Sequence, residues 1–124
     1  MVTKKSVNVD YRPNIQLKVQ PLYTETLFNE VLPYTLEYWG AVVMVEFLKE
    51  INTRILMLYS MPDANPKNQY LVSTTSKIYR NIILSKYPYV IVYSVKKNIV
   101  TVLNIIHQSR NPKIHKELIK PQKK

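Results

Sequence analysis

Glycine and cysteine are almost missing from this sequence of 124 residues, which holds a single glycine and no cysteine. Phosphate-binding loops and dinucleotide-binding fingerprints need several glycines at fixed spacing, so the chain contains neither of them. Without cysteine there are no disulfides, no thiolate zinc sites and no cysteine nucleophile. This composition agrees with a reducing compartment.

Long apolar runs are also absent, since no stretch reaches the roughly 18 apolar residues that a membrane-spanning helix needs. Residues 1–12 contain lysines that no apolar segment follows, which is not the pattern of a secretory signal. We therefore expect a cytoplasmic protein that has no membrane partner. Hydrophobic residues make up 46% of the chain and charged residues 21%, the balance of one folded domain.

Acidic residues are scarce in the second half of the chain. Residues 1–62 contain six basic and six acidic residues, whereas residues 63–124 contain twelve basic residues and only Asp63 and Glu117. The whole net charge of +10 therefore lies in the second half. A basic segment of this kind is suited to an anionic partner such as nucleic acid or an acidic protein, although it is also typical of a solubilising tail.

The chain begins with a polar stretch and a short strand pattern. Residues 15–19 alternate between apolar and polar, which is the period of a half-buried strand, and Pro21 ends this pattern. Thr24 and Thr26 follow as candidate caps of a helix that runs toward Trp39.

Two helices are predicted between residues 24 and 61, separated by the only glycine. Apolar residues recur at helical spacing from Leu27 to Trp39, and again over residues 41–61. Pro33 predicts a kink or a late helix start, because proline lacks a backbone donor and clashes with the preceding turn. Gly40 stands where a left-handed residue would end the first helix. The pair is expected to form a helical hairpin.

Three strand patterns make up the rest of the domain, at residues 78–84, 89–95 and 99–106. A hairpin turn at residues 96–98 joins the last two, with Asn98 expected at positive φ. The order predicts an α+β fold, in which an N-terminal strand, a helical hairpin and a three-stranded antiparallel meander form one sheet packed on the helices. We expect residues 1–14 to be a flexible arm, residues 15–112 the domain, and residues 113–124 a basic tail, of which residues 120–124 should fray.

Two neighbouring strand motifs resemble a known protein family. The first is K-Y-P-Y-V-I-V-Y at residues 86–93, and the second is a strand that ends in H-Q-S-R-N-P at residues 107–112. Together they resemble the RelE/ParE superfamily of type II toxin–antitoxin toxins, and more narrowly its ParE-like plasmid-stabilisation branch. The helical hairpin is similar to that of the family as well, so the resemblance extends over roughly residues 15–112. The fold that it implies agrees with the one derived from the residues.

The resemblance implies a small toxin that is held silent by a cognate acidic antitoxin. Ten tyrosines suit such an interface, since tyrosine anchors protein contacts at low entropic cost. The resemblance also implies a homodimer or a toxin–antitoxin heterotetramer, between which the sequence does not decide.

The target differs between the two branches of the superfamily. ParE-like members inhibit DNA gyrase by binding, whereas RelE-like members cleave mRNA on the ribosome. The ribonuclease branch tends to carry Arg where this chain has Val90, and an uncharged side chain cannot stabilise a phosphorane. That branch also often has a C-terminal Tyr, and no Tyr follows Tyr93 here. We therefore expect a gyrase inhibitor without catalytic residues, with an mRNA interferase, or a non-toxic relative that only binds its antitoxin, as the alternatives.

The residues expected to contact the target or the antitoxin are polar or aromatic and lie in or beside these strands: Arg80, Lys86, Tyr87, Tyr89, His107 and Arg110. In the ribonuclease alternative, His107 would be the acid or base, and the three cations would bind phosphate. Each residue also has a structural interpretation. Arg80 would be a solvated edge charge, His107 a satisfied histidine at a strand end, and Arg110 a partner for a helix carboxylate. We expect no cofactor and no metal, because His107 and His115 lie eight apart without a carboxylate at ligand spacing.

Overall fold

The computed structural model describes residues 14–110 and 114–120, and shows one sheet with a layer of helices on one face. Residues 1–13 of the predicted arm, residues 111–113 at the end of the second motif and the start of the predicted tail, and residues 121–124 lie outside the described residues. In chain order the elements are β1 (Gln16–Val19), α1 (Pro21–Thr26), a π turn (Leu27–Val31), α2 (Leu32–Trp39), α3 (Ala41–Leu56), a 3₁₀ turn (Met57–Tyr59), β2 (Ile78–Ile83), β3 (Tyr89–Lys96), β4 (Ile99–His107) and α4 (His115–Leu118). The described part of the chain has no helix that is long and apolar enough to span a bilayer.

The first helix begins earlier than its predicted caps. Pro21 occupies the first helical position, where its missing donor is not needed, and the carbonyl of Gln20 accepts from the N–H of Tyr23 at 3.0 Å. Thr24 and Thr26 therefore lie inside α1, and the predicted threonine cap was wrong. The reason is that proline fixes φ near its helical value and so starts the helix without a side-chain cap.

The predicted disturbance at Pro33 takes the form of a π turn just before α2. The N–H of Leu32 donates to the carbonyl of Leu27, five residues back. Pro33 then stands in the first turn of α2, where a helix tolerates a residue that has no donor. The π turn thus lets the chain stay helical through the proline.

Gly40 joins α2 and α3 with φ 91° and ψ 169°. This conformation has positive φ, as predicted, but it is not the left-handed helical region, because ψ is extended. Only glycine adopts it readily. It reverses the chain between the two helices within one residue.

The sheet has the strand order β1-β4-β3-β2, with β2, β3 and β4 as an antiparallel meander and β1 parallel to β4. The predicted α+β fold is therefore confirmed. In the β3–β4 turn, Lys97 has positive φ of 56°, and Asn98 does not. The prediction for Asn98 was wrong, because the two-residue turn closed by Lys96 and Ile99 has its positive φ at its first central residue.

The main core lies between the helices and one face of the sheet. Its fully buried side chains come from α3, the 3₁₀ turn and all three long strands, and include Phe47, Ile51, Leu58, Ile82, Ile91, Tyr93, Val100 and Val102. A β-bulge in β4 changes the pairing, so that Val92 faces Asn104 while Tyr93 faces Val102. Leu103 is the extra residue. The bulge shifts the alternation of β4 by one residue, so Val102 and Ile105 both belong to the main core while Leu103 and Ile106 belong to the opposite face.

The opposite face of the sheet carries a smaller core that α4 covers. Leu71, Val92, Leu103 and Ile106 are buried there, with Leu118 and Ile119 packed against them. The side chain of Asn104 holds α4 in place, because its Nδ2 donates to the carbonyl of Leu118 at 2.6 Å. Residues 114–120, at the start of the predicted tail, are thus packed on the sheet.

Candidate functional site

A groove of about 500 Å³ lies between the helical layer and the end of β4. Its lining comes from α1, the π turn, α2, the start of β3, the end of β4 and α4: Leu22, Thr26, Glu30, Val31, Tyr34, Tyr89, Asn104, Ile105, Ile106, His107, Ser109, Arg110 and Leu118. One wall is helical and carries a carboxylate. The other is formed by strand ends and carries a guanidinium.

The helical wall is a stripe of side chains four residues apart. Leu22, Thr26, Glu30 and Tyr34 recur at this interval, which places them on one side of a helix. Tyr38 continues the series, and its ring packs on that of Tyr34 with centroids 4.5 Å apart. The groove therefore leads toward an exposed aromatic pair.

The strand wall brings the two sequence motifs together. Tyr89 faces His107 in the β3–β4 register, and their rings meet edge to face at 5.0 Å. The N–H of Gln108 donates to the carbonyl of Pro88 at 2.7 Å, and the N–H of Arg110 donates to the carbonyl of His107 at 3.0 Å. These bonds fix the turn that carries Arg110. Tyr89, His107 and Arg110, all predicted from the sequence, thus share the groove.

The rings of Tyr87 and Tyr89 both pack against the ring of Phe47, which is fully buried. The Phe47 ring lies 4.4 Å from that of Tyr87 and 5.5 Å from that of Tyr89, measured between centroids. Burial raises the pKa of Tyr89, and the neighbouring Tyr34 and Glu30 raise it further. The Tyr89 hydroxyl therefore stays protonated near neutral pH and does not serve as a general base.

His107 has one ring nitrogen engaged by the backbone. Its Nδ1 accepts from the N–H of Ser109 at 3.0 Å, which fixes the ring against the turn. This agrees with the structural interpretation of a histidine at a strand end.

Lys86 and Tyr87 belong to a different surface. With Glu46, Lys49, Glu50 and Thr53 of α3 they line a shallow depression on the outer side of that helix. Burial raises the pKa of Tyr87, and the nearby carboxylates of Glu46 and Glu50 add to the effect. The charges of this surface are mixed, so it does not concentrate positive charge.

Arg80 lies away from the groove and is only 14% exposed at its side chain. Its Nη1 donates to the carbonyl of Asn65 at 2.6 Å, and its Nε lies 3.9 Å from the carboxylate of Asp63. The hydroxyl of Tyr93 donates to the carbonyl of Pro62 at 2.6 Å in the same region. Arg80 is therefore part of a clamp that holds residues 62–65 to the sheet, and not a solvated edge charge.

A second cleft, which the sequence did not predict, lies on the opposite face of the sheet. Its lining includes Asn68, Asn81, Val90, Arg110 and His115. Arg110 thus stands at the edge of both the groove and this cleft. The cleft was missed because Asn68 and His115 are 47 residues apart in sequence and carry no motif.

A network of side-chain amides holds His115 in this cleft. Asn68 Oδ1 accepts from the N–H groups of Tyr70 and Leu71 at 2.8 and 3.0 Å, which orients its amide. Asn68 Nδ2 then forms hydrogen bonds to Asn81 Oδ1 at 3.0 Å and to His115 Nδ1 at 3.1 Å. Because Nδ2 is a donor, Nδ1 of His115 must accept and the ring must be neutral.

Burial lowers the pKa of His115, so we expect the protein to lose stability as the pH falls below about 6.5, the ordinary value for histidine. The unfolded chain then binds a proton that the folded chain resists, and the free energy of unfolding decreases toward the lower folded pKa. Urea denaturation between pH 7.5 and 5.5 measures this loss. His115→Gln should have a flatter profile, and equal slopes in the two proteins would contradict the prediction.

Metal ligands do not cluster in the part of the chain that the structure describes: no three His, Asp or Glu side chains lie close enough to hold an ion. The groove instead offers one carboxylate, one guanidinium, one imidazole and several tyrosine rings. These groups are chemically suited to contact with a protein segment, through apolar burial and a few charged contacts.

Comparisons with known proteins agree with this geometry. The family model described as ParE toxin of type II toxin-antitoxin system, parDE, matches residues 28–112. Among solved structures, a chain of the chromosomal ParDE TA system from P. aeruginosa is similar, with a TM-score of 0.63 and 14% identity over 75% of this chain and 95% of that one. At this identity the structural likeness shows the fold. No curated protein matches the sequence.

Proposed function

The chain belongs to the ParE toxin family of type II toxin–antitoxin systems, and from that premise we propose that it inhibits DNA gyrase by binding and is neutralised by a cognate acidic antitoxin. The groove that Tyr89, His107 and Arg110 line is the site of the antitoxin contact in this proposal. The toxin itself needs no phosphodiester chemistry.

The dispersal of the candidate cations supports binding over cleavage. In the sheet register, Arg80 of β2 lies opposite Tyr93 of β3, and His107 of β4 lies opposite Tyr89 of β3. Tyr89 is four positions before Tyr93, and β2 and β4 flank opposite edges of β3. At about 3.3 Å per residue, these positions lie roughly 13 Å apart along the strand. Lys86 lies on a third surface, beside α3. Stabilising a phosphorane requires cations that converge on one phosphate, and these do not.

Val90 argues in the same direction. Its side chain lines the second cleft, where Arg110 and His115 come together. An arginine at position 90 would place a second guanidinium in that cleft. Valine instead contributes no charge to this cleft, so it cannot help to stabilise a phosphorane there.

The charge of the sheet layer supports an acidic antitoxin. Residues 60–110, which form the three long strands and their loops, contain seven basic residues and only Asp63 as an acidic one. Among the described residues, the Arg110 guanidinium has no ion-pair partner, and it stands at the mouth of the groove. An acidic segment that enters the groove would meet this free charge, while its apolar side chains would contact Tyr34, Tyr89 and Ile106. The similar P. aeruginosa chain comes from a toxin–antitoxin system.

The proposal is tested by inducing the chain without an antitoxin and following DNA and protein synthesis side by side by pulse labelling. We expect DNA synthesis to fall first, within the first minutes. In a parallel assay, the purified chain at micromolar excess should inhibit supercoiling by gyrase, and unaffected supercoiling would contradict the proposal.

Two other outcomes would each replace the gyrase target. If protein synthesis falls first, the chain is an mRNA interferase, and His107→Ala and Arg110→Ala should then remove toxicity without unfolding the protein. If neither synthesis falls, the chain is a non-toxic family member, and its remaining function is to bind the product of a neighbouring acidic reading frame.

A further inference from the structure

The turn between α2 and α3 exposes a group of large apolar side chains that the core does not use. We call Leu36, Tyr38, Trp39, Val42 and Val45 the hairpin tip. Their exposed fractions are 47%, 62%, 62%, 72% and 47%. Large apolar side chains exposed this close together in the chain mark an interaction surface more often than a solvated helix end.

The hairpin tip is held in shape by its own fold. Gly40 reverses the chain with a φ of 91°, a conformation that only glycine adopts readily. A Cβ at this position would contact no atom within 4 Å, so the backbone conformation and not a lack of space requires glycine. The ring of Tyr38 is fixed by Tyr34 at 4.5 Å. A rigid aromatic surface loses little conformational entropy on binding, which is why Trp and Tyr dominate interface hot spots.

The charge around the hairpin tip is the opposite of that of the sheet layer. Residues 19–48 contain four glutamates and no lysine or arginine, in a chain whose net charge is +10. Glu37 lies between tip residues, and Glu46 follows Val45 directly. Across the whole helical layer, residues 21–59, five glutamates oppose Lys49 and Arg54.

This charge selects among the partners that could cover the hairpin tip. A second copy docked tip to tip would bring the exposed Glu37 side chains of both copies close together, and like charges at an interface oppose association. An acidic segment would be repelled in the same way. A segment that carries lysine or arginine beside apolar side chains would meet both the glutamates and the exposed rings.

We propose that the hairpin tip is a second protein-binding surface, which adjoins the groove at the Tyr34–Tyr38 ring pair and binds a basic apolar segment of a partner protein. None of its five residues lines the groove. The two surfaces have opposite charge, so they recognise different segments. This surface depends on neither gyrase nor the antitoxin, because it is inferred from the exposed side chains and their charge alone.

Trp39 is the only tryptophan in the chain, so its fluorescence reports directly on the hairpin tip. The probe is a synthetic amphipathic peptide of lysine and leucine, titrated into the full chain. A twin in which glutamate replaces every lysine is the charge control. We expect a saturable blue shift of Trp39 emission with the lysine peptide and none with its twin.

Variants that keep Trp39 identify the surface. Tyr38→Ser and Val42→Ser should each weaken binding of the lysine peptide about tenfold, as loss of an interface anchor does. Val72→Ser is the matched control, because Val72 is 84% exposed outside every helix and strand. No emission change with the lysine peptide, equal binding of the two peptides, or equal affinity in all three variants would overturn the proposal. A chain that fails to inhibit gyrase but passes this titration refutes only the proposed function.

Discussion

Phe47→Ala should lower the free energy of unfolding by about 3–5 kcal/mol, the range for deleting a buried aromatic side chain. Phe47 is fully buried on α3 and packs against the rings of Tyr87 and Tyr89. Removing it opens a cavity and also ends two aromatic contacts, each worth about 0.5–1.5 kcal/mol beyond area burial. The midpoint of urea denaturation, at an unchanged slope, measures the loss.

Two variants on α3, one at position 47 and one at position 42, separate the cavity, ring and surface effects for this prediction. Phe47→Leu keeps most of the volume and loses the ring contacts, so it should cost clearly less than the alanine variant. Val42→Ala changes a side chain that is 72% exposed and should stay within about 0.5 kcal/mol of the wild type. A loss below about 1 kcal/mol for Phe47→Ala would contradict the anchoring of the two tyrosines.

The order of elements was predictable because hydrophobic period and turn residues are local signals. Two helices around Gly40 and three strands after residue 77 follow from spacing alone. Two details differed from the preferences of single residues. Pro21 starts α1 through its fixed φ where a threonine cap was expected, and Lys97 has positive φ where Asn98 was expected.

The groove was only partly predictable, for a similar reason. Tyr89 and His107 face each other because a short turn fixes the β3–β4 register, so two adjacent motifs must meet. Arg80 was predicted to share a site with these residues because the sequence shows its charge. The sequence does not show that β2, which carries Arg80, lies on the edge of β3 opposite to β4. The cleft around His115 depends on Asn68, which reaches it only through tertiary folding.

The two proposals assign opposite charges to two recognition surfaces. The net charge of +10 conceals a helical layer in which glutamates outnumber basic residues. An acidic antitoxin segment would be attracted to the sheet side and repelled from the hairpin tip. The two proposals therefore assign the groove and the tip to different partners.

Arg110→Glu should weaken antitoxin binding by at least about tenfold, the largest effect that we expect from one exposed side chain. The wild-type guanidinium stands at the mouth of the groove, and the change puts a carboxylate opposite an acidic segment. Like charges at an interface reduce affinity by a kcal/mol or more, and about 1.4 kcal/mol corresponds to tenfold. Titration calorimetry with the purified cognate antitoxin measures the dissociation constant.

Lys96→Glu makes the same change in net charge at the opposite end of β3, on an exposed side chain far from Tyr89. It should alter the dissociation constant less than about threefold, since an exposed charge beyond a Debye length of about 8 Å is largely screened. Equal weakening in the two variants would show that overall charge, and not the groove, attracts the antitoxin. Unchanged affinity in Arg110→Glu would place the antitoxin elsewhere on the toxin. Repeating both titrations at higher salt should narrow the difference between the two variants, because the Arg110 contact is itself exposed.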